Sequence, residues 1–249
     1  MKPTLMAHMI AGYPDYDTSL ETARALVAGG ASLLEIQFPF SDPSADGPAI
    51  QAACTEALAA GFRVDHGWKL VEAVRREFSA VPVFVMSYAS IVVTKGVEAF
   101  CARAKAAGAT GLIIPDLAPG ADEGLFAAGK ELGLSIVPVI VPSVPASRLE
   151  FILSHDVEWV YTAIRAGITG AHTTLTPELL EFLRNLNSRT KVMAGFGIDS
   201  AAQVRELTGK VHTIIVGSAL VRAVAAAAKK GGKKAVRKDL EEKVRELVG

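Results

Sequence analysis

Short apolar runs alternate with longer amphipathic stretches along almost the whole chain. Eight apolar runs occur, and they are, in order, TLMAHMI, SLLEIQF, PVFVMSY, GLIIPD, SIVPVIV, EWVYTAI, KVMAGFG and HTIIVGS. They show no clean alternation of apolar and polar positions, which is typical of parallel strands buried on both faces. Several helical stretches between them end on glycine, at Gly30, Gly108, Gly133 and Gly209. Eight strand–helix units predict a (β/α)8 TIM barrel, with a doubly wound open sheet as the alternative.

Length and composition are compatible with one such barrel. The chain has 249 residues, of which 50% are hydrophobic, and no linker-like composition divides it. We therefore expect one domain over residues 1–249, without an extended N-terminal helix before the first strand. From about residue 230 to 249 a basic, glycine-broken stretch leads into a charged helical pattern, which predicts a solvated C-terminal helix.

Charge and cysteine content exclude several classes of function. Lys plus Arg and Asp plus Glu each number 26, so no global field favours nucleic acid or a membrane surface. No apolar run approaches the roughly 20 residues of a membrane span, and the first residues do not form a signal peptide. The two cysteines, Cys54 and Cys101, form no CxxC pair, which favours a reduced, cytoplasmic setting.

Two carboxyl groups are associated with the second apolar run. Glu35 lies in the middle of LLEIQF, and a buried carboxylate is costly unless it is paired or functional. Function as a proton donor and acceptor is one interpretation, and an interior ion pair with Lys or Arg is the other, although no strand clearly offers that partner. Asp46 follows in the proline-rich loop FPFSDPSADGP, where a returning loop would hold it over the barrel mouth. Asp42 in the same loop is typical of an Asx turn.

The last two strand–helix turns, GFGIDS and GSALV, indicate an anion site. Free N–H groups and the helix dipole at a helix N-terminus both favour an anion, and Ser218 adds a hydroxyl donor. Barrels often bind phosphate after strands seven and eight. Glycine in either turn is also explained by tight-turn geometry alone, but the two consecutive turns together favour phosphate.

The histidines suggest no further site. His8 lies on the first strand, where a core histidine with satisfied hydrogen bonds is the simpler interpretation. None of the five histidines has metal-ligand spacing such as HxxxH, and no Ser-His-Asp order, Walker loop or GxGxxG fingerprint occurs. Acid–base chemistry on a phosphorylated substrate is the function that remains.

This series of motifs resembles one family closely, the α subunit of tryptophan synthase. The family signature is a strand glutamate followed by PFSDPxADGP, and this chain has LLEIQFPFSDPSADGP. The motifs AGYPD, MSYA, IIPDL, RAGITG, GFGI and VGSALV also match in the same order, over a span from Leu5 to about Val224. The resemblance implies a (β/α)8 barrel that cleaves indole-3-glycerol phosphate to indole and glyceraldehyde 3-phosphate in tryptophan biosynthesis.

The resemblance also implies roles for individual residues. Glu35 matches the general acid–base of a retro-aldol cleavage, and Asp46 matches the carboxylate that accepts a hydrogen bond from the indole N–H. Thr169 matches a residue of a lid that helps to orient Asp46, while Tyr88 and Tyr161 match positions that line the substrate pocket. The residues that match the family's phosphate site are Gly170, Phe196, Gly197, Gly217 and Ser218.

A partner is implied in the same way. The family's barrel mouth docks on a β subunit in an α2β2 complex, and that subunit carries pyridoxal phosphate and receives indole through a tunnel. We expect no cofactor or metal in this chain itself. The chain departs from the family pattern at four positions: His8 replaces an apolar pocket residue, Gln37 a common glycine, Ile164 a frequent serine and Ser90 a usual asparagine.

Two other functions stay open at this point. A phosphate-binding isomerase or aldolase would need a different catalytic set, such as a Schiff-base lysine, but Lys191 lies at the wrong end of its strand. A non-catalytic regulatory barrel would bind the phosphate ligand and activate a β-type partner. The presence of both Glu35 and Asp46 argues against that function.

Overall fold

Parallel strands pair side by side around a nearly closed barrel, surrounded by helices, in the residues that the computed structural model describes, which are 3–164 and 175–249. In these ranges nine strands form one sheet in the order β5-β4-β3-β2-β1-β9-β8-β7-β6. The strands are β1 Leu5–Ile10, β2 Leu33–Gln37, β3 Val83–Met86, β4 Gly111–Ile113, β5 Ser135–Val137, β6 Val139–Ile140, β7 Trp159–Ala163, β8 Lys191–Gly195 and β9 Thr213–Val216. The (β/α)8 fold class is confirmed, and the doubly wound alternative is wrong.

Helices connect successive strands, apart from the direct connection between β5 and β6. They are α1 Tyr16–Gly29, α2 Pro48–Ala59, α3 Val64–Glu77, α4 Ala89–Lys95, α5 Val97–Ala106, α6 Leu125–Leu132, α7 Ala146–Leu153, α8 Pro177–Asn187, α9 Ala201–Leu207 and α10 Ser218–Val248. Gly30 and Gly133 end α1 and α6 in the left-handed conformation that the sequence predicts for them.

The fifth apolar run, SIVPVIV, forms two short strands instead of one. Pro138 separates β5 from β6, because proline has no backbone N–H to give to a sheet. β5 pairs with β4 and β6 pairs with β7, so these strands are the two ends of the sheet. The carbonyl of Pro138 accepts a 2.9 Å hydrogen bond from the backbone N–H of Tyr161. The chain therefore closes the barrel at this proline, and the pattern of eight units is preserved.

Apolar side chains form two layers, one inside the barrel and one between strands and helices. The barrel interior contains Met6, Leu33, Phe84, Met86, Ile113, Val137, Trp159, Met193 and Ile215. Alternate residues of the same strands, such as Ala7 and Leu34, belong to the outer layer. All residues of β1 and β2 are buried, which explains why the apolar runs do not alternate with polar positions.

The charged C-terminal segment is helical, as the sequence predicts, but it is not fully solvated. Gly231 and Gly232 have non-helical backbone angles and kink α10. Beyond the kink, one apolar face is buried, and it consists of Val236, Leu240, Val244 and Leu247. Two ion pairs join this part to α1, Arg237 with Glu21 and Lys233 with Asp17. The expectation of a solvated tail is therefore wrong for this face, because apolar residues at helical spacing lie between the charges.

Within residues 3–164 and 175–249, the helices lack the combination of length and apolar character that a membrane span requires.

Candidate active site

Glu35 lies on the interior face of β2. Leu33, two residues earlier, belongs to the barrel interior, and the side chains of a strand alternate between its two faces. Glu35 is only 3% exposed. The strand thus holds an acid inside the barrel, near the ends of the strands where barrel active sites are built.

The ion-pair partner of Glu35 is His8 on the adjacent strand β1. The two residues stand opposite each other in the parallel register, and Nδ1 of His8 lies 3.2 Å from Oε1 of Glu35. The interior ion pair considered for Glu35 therefore exists, with a histidine in place of the lysine or arginine. Nε2 of His8 and Oε2 of Glu35 have no hydrogen-bond partner among the described residues. The expectation of a fully satisfied core histidine is therefore wrong.

Opposing effects act on the protonation of His8. Burial by itself would lower the pKa of the imidazole, but the charge of Glu35, the hydrogen bond to it and the charge of Asp46 outweigh burial. The pKa of His8 is consequently raised above its ordinary value. The nearby negative charges therefore stabilise the imidazolium form of His8 inside the barrel.

The proline-rich loop after β2 separates its two aspartates. Asp42 is exposed, and its carboxylate accepts a hydrogen bond from the hydroxyl of Ser41. Asp46 is 5% exposed, and its backbone N–H donates to the carbonyl of Pro43. Pro48 is the first residue of α2, a position where proline loses no helical hydrogen bond. The loop is thereby held by its own turn and by α2, with Asp42 outward and Asp46 inward.

Two side chains hold the carboxylate of Asp46. The amide Nε2 of Gln37 and the hydroxyl of Tyr88 each donate to Oδ2 over 2.7 Å. The Tyr88 hydroxyl also accepts a 3.2 Å hydrogen bond from the backbone N–H of Ala45. Burial raises the pKa of Asp46, and the charge of His8 together with the hydrogen bonds from Tyr88 and Gln37 offset the increase only in part. The pKa of Tyr88 is also raised, by burial and by the charge of Asp46, so its hydroxyl remains a donor.

The turns after β8 and β9 have the backbone features of an anion site. Phe196 has a φ of +86°, which is uncommon for a residue with a side chain, and Gly197 has a φ of +77°. Unusual backbone angles of this kind concentrate at functional sites. Gly217 caps the N-terminus of α10, and Ser218 is the first residue of that helix. The first N–H groups of a helix have no intrahelical acceptor and favour an anion.

Tyr161 on β7 lies beside these turns. Its ring packs edge-on against Phe196, with centroids 5.9 Å apart and an interplanar angle of 89°. Gly195 gives the Tyr161 hydroxyl its space, because a Cβ at position 195 would lie 2.7 Å from that oxygen. Burial and the charges of Glu35 and Asp46 raise the pKa of Tyr161, which keeps the phenol neutral.

These groups meet at one cavity. Its lining includes Glu35, Asp46, Tyr161, Phe196, Gly197, Gly217 and Ser218, and also His8, which contacts Glu35. Apolar side chains complete the walls, among them Ile50, Met86, Ile113 and Ile215. A mostly apolar cavity with a few convergent polar groups is typical of a small-molecule site. The structure thus brings this set of predicted site residues together at one cavity.

The other predicted site residues have different positions. Tyr88 lies behind Asp46 and stacks on Phe40 at 5.2 Å, so it reaches the cavity through the carboxylate that it holds. Thr169 and Gly170 lie outside the described residues. Ser90 is exposed on α4, and Ile164 is buried just after β7. Lys191 is exposed at the start of β8 and pairs with Glu158, so it cannot serve as an interior Schiff-base lysine.

Sequence reasoning assigned no site role to His8 and Gln37, the two residues that contact the carboxyl groups of Glu35 and Asp46. Both stand out in the sequence as polar residues inside apolar strand runs, which is the signal that identified Glu35. Gln37 is two residues after Glu35, and strand alternation places both on the interior face. The contact of His8 with Glu35 could not be predicted, because it depends on the register of β1 and β2, which the closed sheet sets.

The fold and the cavity together define a class of protein, a (β/α)8 barrel with two buried carboxyl groups in a cavity at the carboxyl ends of its strands. The family model of the tryptophan synthase alpha chain matches residues 1–248. The chain belongs to the tryptophan synthase alpha chain family, which is a family of lyases in tryptophan biosynthesis.

Individual relatives agree with this assignment. The tryptophan synthase alpha chain of Helicobacter hepaticus is 41% identical over 228 residues, which are 89% of this chain and 85% of the relative. That of Aquifex aeolicus is 37% identical over 222 residues, 88% of this chain and 84% of the relative. A solved structure of the tryptophan synthase a2b2 complex from Pyrococcus furiosus matches with a TM-score of 0.88 and 32% identity, over all of both chains. A tryptophan synthase structure from Mycobacterium tuberculosis has a TM-score of 0.86 and 33% identity, over 100% of this chain and 93% of that chain.

Proposed function

We propose that this chain cleaves indole-3-glycerol phosphate to indole and glyceraldehyde 3-phosphate. The observation that carries the proposal is the burial of Glu35 and Asp46 in one cavity that also reaches the N-terminus of α10. The substrate has three parts that need different surroundings, namely an indole ring, a glycerol carbon chain and a phosphate. The cavity offers apolar walls, two carboxyl groups and helix N–H groups for these parts.

Glu35 is the proposed general acid–base. In a balanced step, its protonated carboxyl group gives a proton to C3 of the indole ring, and the ring becomes an indolenine cation. The resulting carboxylate takes the proton of the glycerol hydroxyl next to the bond that breaks. The carbon–carbon bond then cleaves, its electron pair returns to the ring, and the hydroxyl carbon becomes an aldehyde. Oε2 of Glu35, which has no partner among the described residues, is available for both transfers.

Asp46 is the proposed stabiliser of the charged ring. The indole N–H becomes a stronger donor when C3 is protonated, because positive charge then spreads to the nitrogen. A carboxylate that accepts this hydrogen bond interacts more strongly with the charged intermediate than with the substrate, which accelerates the reaction. Gln37 and Tyr88 hold Oδ2 and so fix the carboxylate before the substrate enters.

The phosphate is assigned to the turns after β8 and β9. Phe196, Gly197, Gly217 and Ser218 line that end of the cavity, and the α10 dipole favours the dianion. Gly170 is a further proposed phosphate contact and Thr169 a proposed lid residue. Both assignments remain predictions, since the two residues lie outside the described ranges.

A β subunit is the proposed partner. The support comes from similar chains in solved tryptophan synthase complexes, including the a2b2 complex of Pyrococcus furiosus. We expect pyridoxal phosphate in that partner and no cofactor in this chain. The exposed outer face of the loop around Asp42, at the carboxyl ends of the strands, is the part of this chain that we expect to face the partner.

The test is indole release from indole-3-glycerol phosphate by the purified chain, alone and after addition of a bacterial tryptophan synthase β subunit. We expect release in both cases and faster release in the complex. Equilibrium binding of glyceraldehyde 3-phosphate is measured on the same preparation. Binding without indole release under either condition would contradict the proposal and favour a non-catalytic regulatory barrel.

A further inference from the structure

His8 is a buried titratable group that the proposed chemistry does not use. It is 4% exposed and lines the same cavity as Glu35 and Ser218. The register of β1 and β2 sets His8 directly opposite Glu35, with Nδ1 3.2 Å from Oε1. Because both residues lie within paired strands, the sheet backbone fixes their contact, and no loop has to close to form it.

The contact occupies one oxygen of Glu35 and leaves the other without a partner among the described residues. Oε1 can accept a hydrogen bond both when Glu35 is ionised and when its proton lies on Oε2, so Nδ1 of His8 carries the proton in this contact. A carboxylate held through one oxygen presents its second oxygen in a fixed direction. Such orientation is what a general acid–base needs, since a displacement of about 1 Å can cost roughly 10²-fold in rate.

Packing also restricts the imidazole itself. A Cβ at position 217 would lie 3.6 Å from Cβ and Cγ of His8, so the helix cap of α10 closely approaches the ring. A small cavity behind β1 has apolar walls around His8, apart from Tyr13 and Thr22. Glu35 is therefore the acid that His8 contacts, and Asp46 acts on it through charge alone.

We propose that His8 is a positioning residue for Glu35: its Nδ1–H holds Oε1, so that Oε2 is the atom that exchanges protons with the substrate. The inference rests on the proposed function, in which Glu35 is the general acid–base. This role would explain why the chain has His8 in place of the apolar pocket residue that the family resemblance implies.

Three substitutions separate the possible roles of the ring. His8→Asn places an amide nitrogen near the position of Nδ1, His8→Gln places one near Nε2, and His8→Phe keeps a ring without a donor. We expect His8→Phe and His8→Gln to lower kcat for indole release by roughly 10- to 100-fold with KM nearly unchanged. His8→Asn should recover most of the activity. Met6→Leu, an apolar change on the interior face of the same strand, is the matched control for disturbance of β1 and should keep wild-type kcat.

Wild-type kcat in His8→Phe would overturn the inference. Rescue by glutamine but not by asparagine would also overturn it, because the ring would then act through Nε2.

A second measurement does not depend on the folding of these variants: ¹⁵N NMR of histidine-labelled wild-type chain and of Glu35→Gln. We expect the buried His8 to be protonated at Nδ1, with a signal that shifts in Glu35→Gln; an unchanged signal would contradict the contact. If the wild-type chain releases no indole, the proposed function fails, whereas the NMR comparison still tests the contact.

Discussion

Gln37 and Asp46 are joined by a 2.7 Å hydrogen bond from the amide Nε2 to Oδ2, entirely within the protein interior. Gln37 is the last residue of β2, and Asp46 lies in the loop that follows. The bond thus ties a proline-rich loop to the strand that carries Glu35. A glycine in place of Gln37 would leave Asp46 without this donor.

Gln37→Leu should move the acid limb of the activity profile to higher pH. The hydrogen bond from Gln37 lowers the pKa of Asp46, although the opposing effect of burial is larger. Loss of the donor therefore raises the pKa of Asp46, and the carboxylate that must accept from the indole N–H is neutralised at a higher pH. The measurement is kcat/KM for indole release over the range of about pH 5 to 8.

Gln51→Leu is the matched control for this substitution. The Gln51 amide donates to the backbone carbonyl of Asp46 and not to its carboxylate. Its removal should leave the acid limb in place. Equal shifts in both variants would show that general loosening of the loop, and not the loss of a donor to the carboxylate, changes the profile.

Asp46→Asn should abolish most turnover without lowering stability at neutral pH. An asparagine oxygen can accept the same hydrogen bonds from Gln37 and Tyr88, while the buried charge disappears. The folded-state pKa of Asp46 is raised, so folding favours its neutral form. At pH values above the folded-state pKa, the buried charge therefore lowers the stability of the wild type. This destabilisation decreases as the pH falls toward 3.8, the ordinary pKa of the group.

Urea unfolding of both proteins at several pH values tests the stability part. Asp46→Asn should be at least as stable as wild type at pH 7, and its advantage should decrease in acid. Asp42→Asn, the same change at an exposed position of the same loop, should alter neither stability nor indole release by the isolated chain. A clear loss of stability in Asp46→Asn at pH 7 would mean that the charge itself holds the loop.

Sequence patterns predicted the barrel and most of the cavity because both depend on local signals. Buried strands read as apolar runs, and barrel sites follow the ends of strands, so Glu35, Asp46, Gly217 and Ser218 could be found in order along the chain. The contact of His8 with Glu35 could not be found in this way, since it depends on the register of two strands 27 positions apart. The buried face of the C-terminal helix was obscured by the charges around it, because ion pairs with α1 use them as part of the packing.

Gly195→Ala should destabilise the barrel and disturb Tyr161. The new methyl group would lie 2.7 Å from the Tyr161 hydroxyl and 3.1 Å from Cβ of Ile215, and overpacking of this kind costs about 1–3 kcal/mol. The cost should fall in a Tyr161→Phe background, because the oxygen nearest to the methyl group is absent. Urea unfolding of the two single variants and the double variant forms the cycle. If the effects of the two single variants simply add in the double variant, the strain does not come from contact with the Tyr161 hydroxyl.

Leu240→Ala should show how far the second half of α10 contributes to stability. Leu240 is fully buried, so its truncation should lower the free energy of unfolding by about 2–5 kcal/mol. Lys238→Ala, an exposed position on the same helix, should change it by less than about 0.5 kcal/mol. Similar effects of both changes in urea unfolding would contradict the packing of this helix on the barrel.

Glu35 is proposed to move both protons of the cleavage. The most direct measurement is the single-turnover rate of indole formation by Glu35→Gln, with excess chain over indole-3-glycerol phosphate, beside the wild-type rate and the affinity of each protein for glyceraldehyde 3-phosphate. Glutamine keeps the shape of the side chain and can still accept from His8, but it cannot give and take a proton. The rate should be lower by roughly 10²- to 10⁴-fold, with ligand affinity nearly unchanged. Indole formation by Glu35→Gln at the wild-type rate would contradict the assigned role of Glu35.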